Sequence, residues 1–235
     1  MSTVEVLKVS DGTEMHAYIS RPSSPGKNPG VLLFQEAFGV NAHIRDVANR
    51  LANEGYVVIA PELYHRTAPP GFEAGYDEYP KIQPHAAAMT IETTEMDIRA
   101  AYERLKNDTG VAGDRIGSIG FCMGGRVSFD ANLILPVKAS VSFYGGGIAQ
   151  TYASRAADLH APMLMFWGGL DKHILPEHIR TTIDALRAAN KTYMNVEISD
   201  ADHGFFCDVR QSYNKDAAAQ AWLIVKQFFN THLKG

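Results

Sequence analysis

A mostly parallel β-sheet with helices on both faces is the architecture this chain predicts, on three observations. Short β-rich runs alternate with amphipathic helical patterns along most of the sequence. Most of those runs are continuously apolar, as strands covered on both sides should be. A polar turn near the N-terminus joins two runs into an antiparallel hairpin. The expected fold class is therefore α/β, a mostly parallel eight-stranded sheet with an N-terminal antiparallel hairpin. Ligands of such sheets sit at the carboxyl ends of the strands.

Residues 4–9 and 14–19 flank the turn Ser10-Asp11-Gly12-Thr13 and form the predicted hairpin. A strand over 31–34 follows. Ile44, Val47, Ala48, Leu51 and Ala52 recur at the spacing of one helical stripe, and a strand over 56–59 comes next. Residues 64–88 break the rhythm with Pro69, Pro70, Gly71, Gly75, Pro80 and Pro84. A stretch this irregular inside a globular domain is usually functional, and it reads as a lid or pocket wall, with a solvated insertion as the alternative. Ile98, Tyr102 and Leu105 mark a second helix, Ile179, Ile183 and Leu186 a third, and Ala218, Trp222, Val225 and Phe229 a C-terminal one. The remaining strands are expected over 115–119, 139–143, 163–167 and 193–198.

No internal repeat or linker divides the sequence, so residues 1–235 read as one domain. With 46% hydrophobic and 20% charged residues, the chain has the makeup of a globular protein with a large core. A net charge of −4 offers no basic footprint for nucleic acid. Residues 1–20 contain no signal-like apolar stretch, and no apolar run approaches the roughly 18 residues a bilayer requires. The expectation is a soluble cytoplasmic protein with neither nucleic-acid nor membrane partners. Its two cysteines, Cys122 and Cys207, form no Cys-x-x-Cys pair, which excludes a disulfide framework and a zinc site; no metal or cofactor is expected.

Chemistry concentrates in Gly120-Phe121-Cys122-Met123-Gly124-Gly125, where one thiol stands between glycines directly after the predicted strand over 115–119. This is the layout of a nucleophile elbow, a sharp strand-to-helix turn whose crowded geometry calls for residues without Cβ atoms nearby. The turn aims the sulfur at the N-terminus of the next helix, whose dipole favours a thiolate. A thiol nucleophile needs a base, an acid to orient that base, and donors for the oxyanion. His203, in Asp202-His203-Gly204-Phe205 just past the last predicted strand, is the candidate base. Asp171 follows the strand over 163–167 through Gly168-Gly169-Leu170 and stands where the orienting acid belongs in the chain order nucleophile, acid, histidine. Its other reading is a cap for the helix beginning near Pro176. Asp200 and Asp202 are nearer to His203 in sequence, but the acid must reach the Nδ1 side from an adjacent loop. Glu36 ends an apolar strand, either as a structurally paired buried carboxylate or as an acidic group sharing the thiol's site.

Gln35-Glu36-Ala37-Phe38-Gly39, the elbow, the segment 168–171 and Asp202-His203-Gly204-Phe205 together resemble the dienelactone hydrolase family of α/β-hydrolases, nearly end to end. The resemblance implies the α/β-hydrolase fold and a Cys122–His203–Asp171 triad. It also implies an oxyanion hole from the backbone N–H groups of Met123 and Ala37, and a resting contact between Glu36 and the thiol that substrate displaces. The expected activity is hydrolysis of a small-molecule lactone or activated ester through a thioester. A thioesterase or general carboxylesterase is the alternative, and a ligand binder or thiol sensor the non-catalytic one. A metal-dependent hydrolase using His173, His203 and Asp171 is more remote.

Members of the family hold a substrate carboxylate with arginines, one of them shortly after the catalytic histidine. Arg66, Lys81 and Arg210 are the candidates here, each with an ordinary surface charge as its alternative. Cys207 reads as a small buried residue. Tyr144, beside Gly145-Gly146-Gly147, reads either as pocket lining or as core.

Overall fold

A computed structural model describes residues 1–235. Eight strands form one sheet: β1 (Ser2–Lys8), β2 (Glu14–Ser20), β3 (Asn28–Phe34), β4 (Val57–Pro61), β5 (Val111–Phe121), β6 (Ala139–Phe143), β7 (Met163–Gly168) and β8 (Tyr193–Ile198). Their order is β1-β2-β4-β3-β5-β6-β7-β8. β1 and β2 pair antiparallel, as do β2 and β4, while the described pairs β3–β4, β5–β6, β6–β7 and β7–β8 are parallel. Contacts divide the chain into two compact units, Met1–Ile116 and Gly117–Gly235.

In the first unit the hairpin register runs from Ser2 opposite Ser20 to Lys8 opposite Glu14. The predicted stripe of Ile44, Val47, Ala48, Leu51 and Ala52 is buried on helix α1 (Ala42–Asn53), which starts where the Asn41 side chain accepts the Ile44 N–H. Helix α2 (Tyr79–Ala88) lies inside the stretch expected to be irregular. Pro80 sits in its first turn, where the missing N–H costs nothing, and Ile82 is its only buried residue. Ile82 packs with Phe38 and Ala74, so tertiary contact holds a helix that local propensity, with Pro84 in its interior, does not favour. The stretch folds back on the loop after β3. Tyr64 donates its hydroxyl to the Ala37 carbonyl at 3.0 Å, Ala74 donates its N–H to the Phe38 carbonyl at 3.2 Å, and the Phe38 and Tyr76 ring centroids are 4.6 Å apart. Helix α3 (Ile91–Lys106) begins with a reciprocal Thr90–Thr93 capping box and buries the predicted Ile98, Tyr102 and Leu105.

In the second unit the strand ends align. Phe121 lies opposite Phe143, Phe143 opposite Phe166, and Gly168 opposite Ile198. The residues following β5, β6, β7 and β8 therefore emerge side by side at one edge. Beneath them the Phe121, Phe143 and Phe166 rings stack at 4.7 and 4.4 Å, with Phe206 against the first two at 5.2 and 4.9 Å. Helix α4 (Met123–Ile134) is buried on nearly every side, which is why it shows no amphipathic stripe. The Ser118 hydroxyl bonds those of Ser128 and Ser140, each at 2.8 Å, tying β5, α4 and β6 together in the interior. A short helix α5 (Ile148–Thr151) follows β6, and α6 (Pro176–Ala188) and α7 (Lys215–Phe229) carry the other two predicted stripes. No helix is long and apolar enough to cross a membrane.

Candidate active site

Cys122 is the N-cap of α4, at φ 54° and ψ −118°, a left-handed-side conformation that a side chain bearing a Cβ rarely adopts. Backbone bonds hold it there. Its N–H donates to the Phe143 carbonyl at 3.0 Å, and its carbonyl accepts the Gly125 N–H at 3.0 Å. The turn is tight enough that a Cβ on Gly120 would overlap the Gly124 backbone, and one on Gly125 would press the Phe143 carbonyl. Met123, the first residue of α4, stands at the positive end of the helix dipole.

Asp171 leaves β7 three residues past Gly168 and is almost completely buried. Its Oδ1 accepts the His173 N–H at 2.7 Å and the Ile174 N–H at 3.0 Å, and its Oδ2 lies 2.7 Å from Nδ1 of His203. Asp171 does not cap α6, whose N-cap is Leu175. Of the two nearer carboxylates, Asp202 accepts the backbone N–H of His203 at 2.6 Å, and Asp200 accepts from the Asn214 amide. With Nδ1 engaged by Asp171, the other ring nitrogen is the one left to serve Cys122.

Charge follows the geometry. Burial is the strongest single influence on His203 and disfavours the imidazolium; the hydrogen bonds and charges of Asp171 and Cys122 together outweigh it and raise the group to about 10. For Asp171 burial again pushes up, while His203 and the two loop N–H donors hold the carboxyl below its ordinary value.

Tyr144 directly follows β6, with a φ of 37°, wholly buried, its ring centroid 5.1 Å from that of His203. The glycine run after a strand was the only sequence sign of it. Gly204 has a φ of 80°, and a Cβ there would collide with the guanidinium of Arg210, so that arginine lies against the His203 loop. Cys207 is fully buried.

Glu36, Ala37, Arg66 and Lys81 belong to the first unit. Glu36 is fully buried at the end of β3. Arg66 makes a two-point contact with Asp97 at 2.8 Å and a third bond to Asp11, and Lys81 pairs with Glu78 on the surface.

A profile of the dienelactone hydrolase family matches residues 15–233. The chain belongs to that family. Membership makes it a hydrolase of the lactone and ester class. Among its relatives, a Synechocystis protein named provisionally as a carboxymethylenebutenolidase is 36% identical, covering 100% of this chain and 98% of the relative. An Escherichia coli K12 protein with the same provisional name is 34% identical over 95% of this chain and 84% of its own length. The crystal structure of a protein provisionally named dienelactone hydrolase from Klebsiella pneumoniae superposes with a TM-score of 0.87. It is 33% identical, covering 97% of this chain and 98% of that one. A dienelactone hydrolase structure from Anabaena variabilis, at 19% identity, TM-score 0.74 and coverage of 99% and 98%, shares the fold.

Proposed function

We propose that this protein hydrolyses lactones and activated carboxylic esters through a thioester on Cys122. The observation that carries the reading is the 2.7 Å contact of Asp171 with His203 Nδ1, in an imidazole whose proton affinity the Cys122 thiol also raises, with that thiol on a strained strand-to-helix turn. In this mechanism the sulfur attacks the carbonyl carbon as a thiolate, its proton already held on the His203 imidazolium, and His203 passes that proton to the departing oxygen as the C–O bond breaks. Water, deprotonated by His203, then attacks the thioester; the acid is released and the thiolate and imidazolium are restored. Asp171 holds the imidazole in the tautomer and orientation that both half-reactions need.

The backbone N–H of Met123, at the start of α4, is one oxyanion donor in this proposal. For the Ala37 N–H and for Glu36 as the resting partner of the thiol, the support is the family resemblance. Arg210, against the His203 loop, is the best supported partner for a substrate carboxylate. Arg66 and Lys81 remain candidates on the sequence alone. A reducing cytoplasmic setting fits the two free thiols.

The test compares wild type with Cys122→Ala on an enol lactone and an aryl ester, with mass spectrometry of acid-quenched enzyme. The expected results are an acyl adduct on the wild-type chain and loss of cleavage in the variant. Undiminished turnover by Cys122→Ala would overturn the proposal.

A further inference from the structure

His173 stands beside the proposed triad with no part yet in its chemistry. We propose that it is a positioning residue that clamps acid and base together, its backbone holding Asp171 and its ring holding the plane of the His203 imidazole. The inference rests on the Cys122–His203–Asp171 reading and extends it.

The Nδ1 hydrogen bond to Asp171 fixes one point of the imidazole. A ring held at one point still rocks about it, and the Nε2 side, which must meet the sulfur, sweeps furthest. Ring contacts restrain that motion. From the interior the buried Tyr144 ring lies 5.1 Å away, inclined at 57°. From the solvent side the exposed His173 ring stands edge-to-face, at 5.4 Å and 77°. Aromatic pairs favour this arrangement at such separations.

The His173 ring has a fixed mount. Its own N–H donates to Asp171 Oδ1 at 2.7 Å, and the next residue, the buried Ile174, donates to the same oxygen at 3.0 Å. One residue thus touches the acid through its backbone and the base through its side chain, so a displacement of either is felt by both. Burial does not explain a histidine at this exposed place. What the contact uses is a planar ring, which phenylalanine also supplies and glutamine does not.

The experiment measures kcat and KM on an aryl ester for wild type, His173→Ala, His173→Gln and His173→Phe. It adds the thermal midpoint of each and the downfield proton resonance of the His203 Nδ1–H. His173→Ala and His173→Gln should each lose about tenfold in kcat, because small misplacements of a catalytic group are costly, with KM within about twofold. Their downfield resonance should broaden, while His173→Phe restores both signals and all midpoints stay near that of wild type. The clamp is overturned if either ringless variant keeps the wild-type kcat, or if His173→Phe is as slow as His173→Ala. Cys122→Ala, run alongside, reports separately on the triad itself, since retained cleavage there sinks the underlying reading whatever His173 does.

Discussion

Cys122 pays for its position with a backbone conformation that costs about 1–3 kcal/mol, and the surrounding bonds must over-determine it. They do so from both sides, through Phe143 on β6 and through Gly125 on α4. His203 carries the opposite kind of signature, a charge state stabilised by the fold. Its proton affinity is raised from 6.5 to about 10, so the native state binds that proton more tightly than the unfolded chain. The resulting stabilisation is complete below pH 6.5 and disappears as the pH climbs through about 10. Urea unfolding of wild type and His203→Gln across that window should therefore show a stability difference that shrinks with rising pH. A difference that grows would mean that burial, which favours the neutral ring, prevails. Cys122→Ala, which removes one of the two groups favouring the imidazolium, should bring the upper edge of the window down.

At the scale of elements, the turn after β4 is tied to α3 by one carboxylate. Asp97, 1% exposed on α3, accepts from Arg66 through both oxygens and lies 3.1 Å from His65 Nε2, while His65 Nδ1 reaches the Glu14 carbonyl on β2. Breaking a buried pair from one side leaves the partner charge uncompensated, which costs about 3–5 kcal/mol when burial is complete. Arg66 is partly exposed and keeps Asp11, so Asp97→Asn should destabilise by less, about 2 kcal/mol, read as a lower urea midpoint. The same turn leads into the stretch that folds over Ala37 and Phe38, and its loosening is expected to reach that loop through Tyr64. Helix α2 illustrates how packing decides where pattern is weak: one buried isoleucine and two prolines make a poor helix signal, and the contact with Phe38 supplies the rest.

Across the whole molecule, the family, the fold and the proposed thiol chemistry together set a substrate ranking. A thiolate is a good leaving group, so a tetrahedral intermediate expels it again unless the substrate's own leaving group is better. Enol lactones and aryl esters should be cleaved faster than simple alkyl esters by about a hundredfold or more, and amides slowest, in a kcat/KM panel. A flat ranking would argue against a thiol nucleophile. Much of the architecture was legible beforehand because it depends on local pattern: β6 and β8 match the predicted runs residue for residue, and the four stripes became α1, α3, α6 and α7. The spacing of glycines around Cys122 and the chain order of Asp171 and His203 likewise follow from the sequence alone, since an elbow and strand-end loops are local features. The sequence placed the start of α4 at the elbow but not its extent, because a helix buried all round lacks a stripe, and it did not show α2, which exists through its contact with Phe38. Nor could it show that Asp202 accepts the His203 backbone N–H, that Arg210 lies against the His203 loop, or that the His173 ring stands against His203. Those facts depend on which loops the register of β5 to β8 brings side by side, and distance through space between residues far apart in the chain is written in no local pattern.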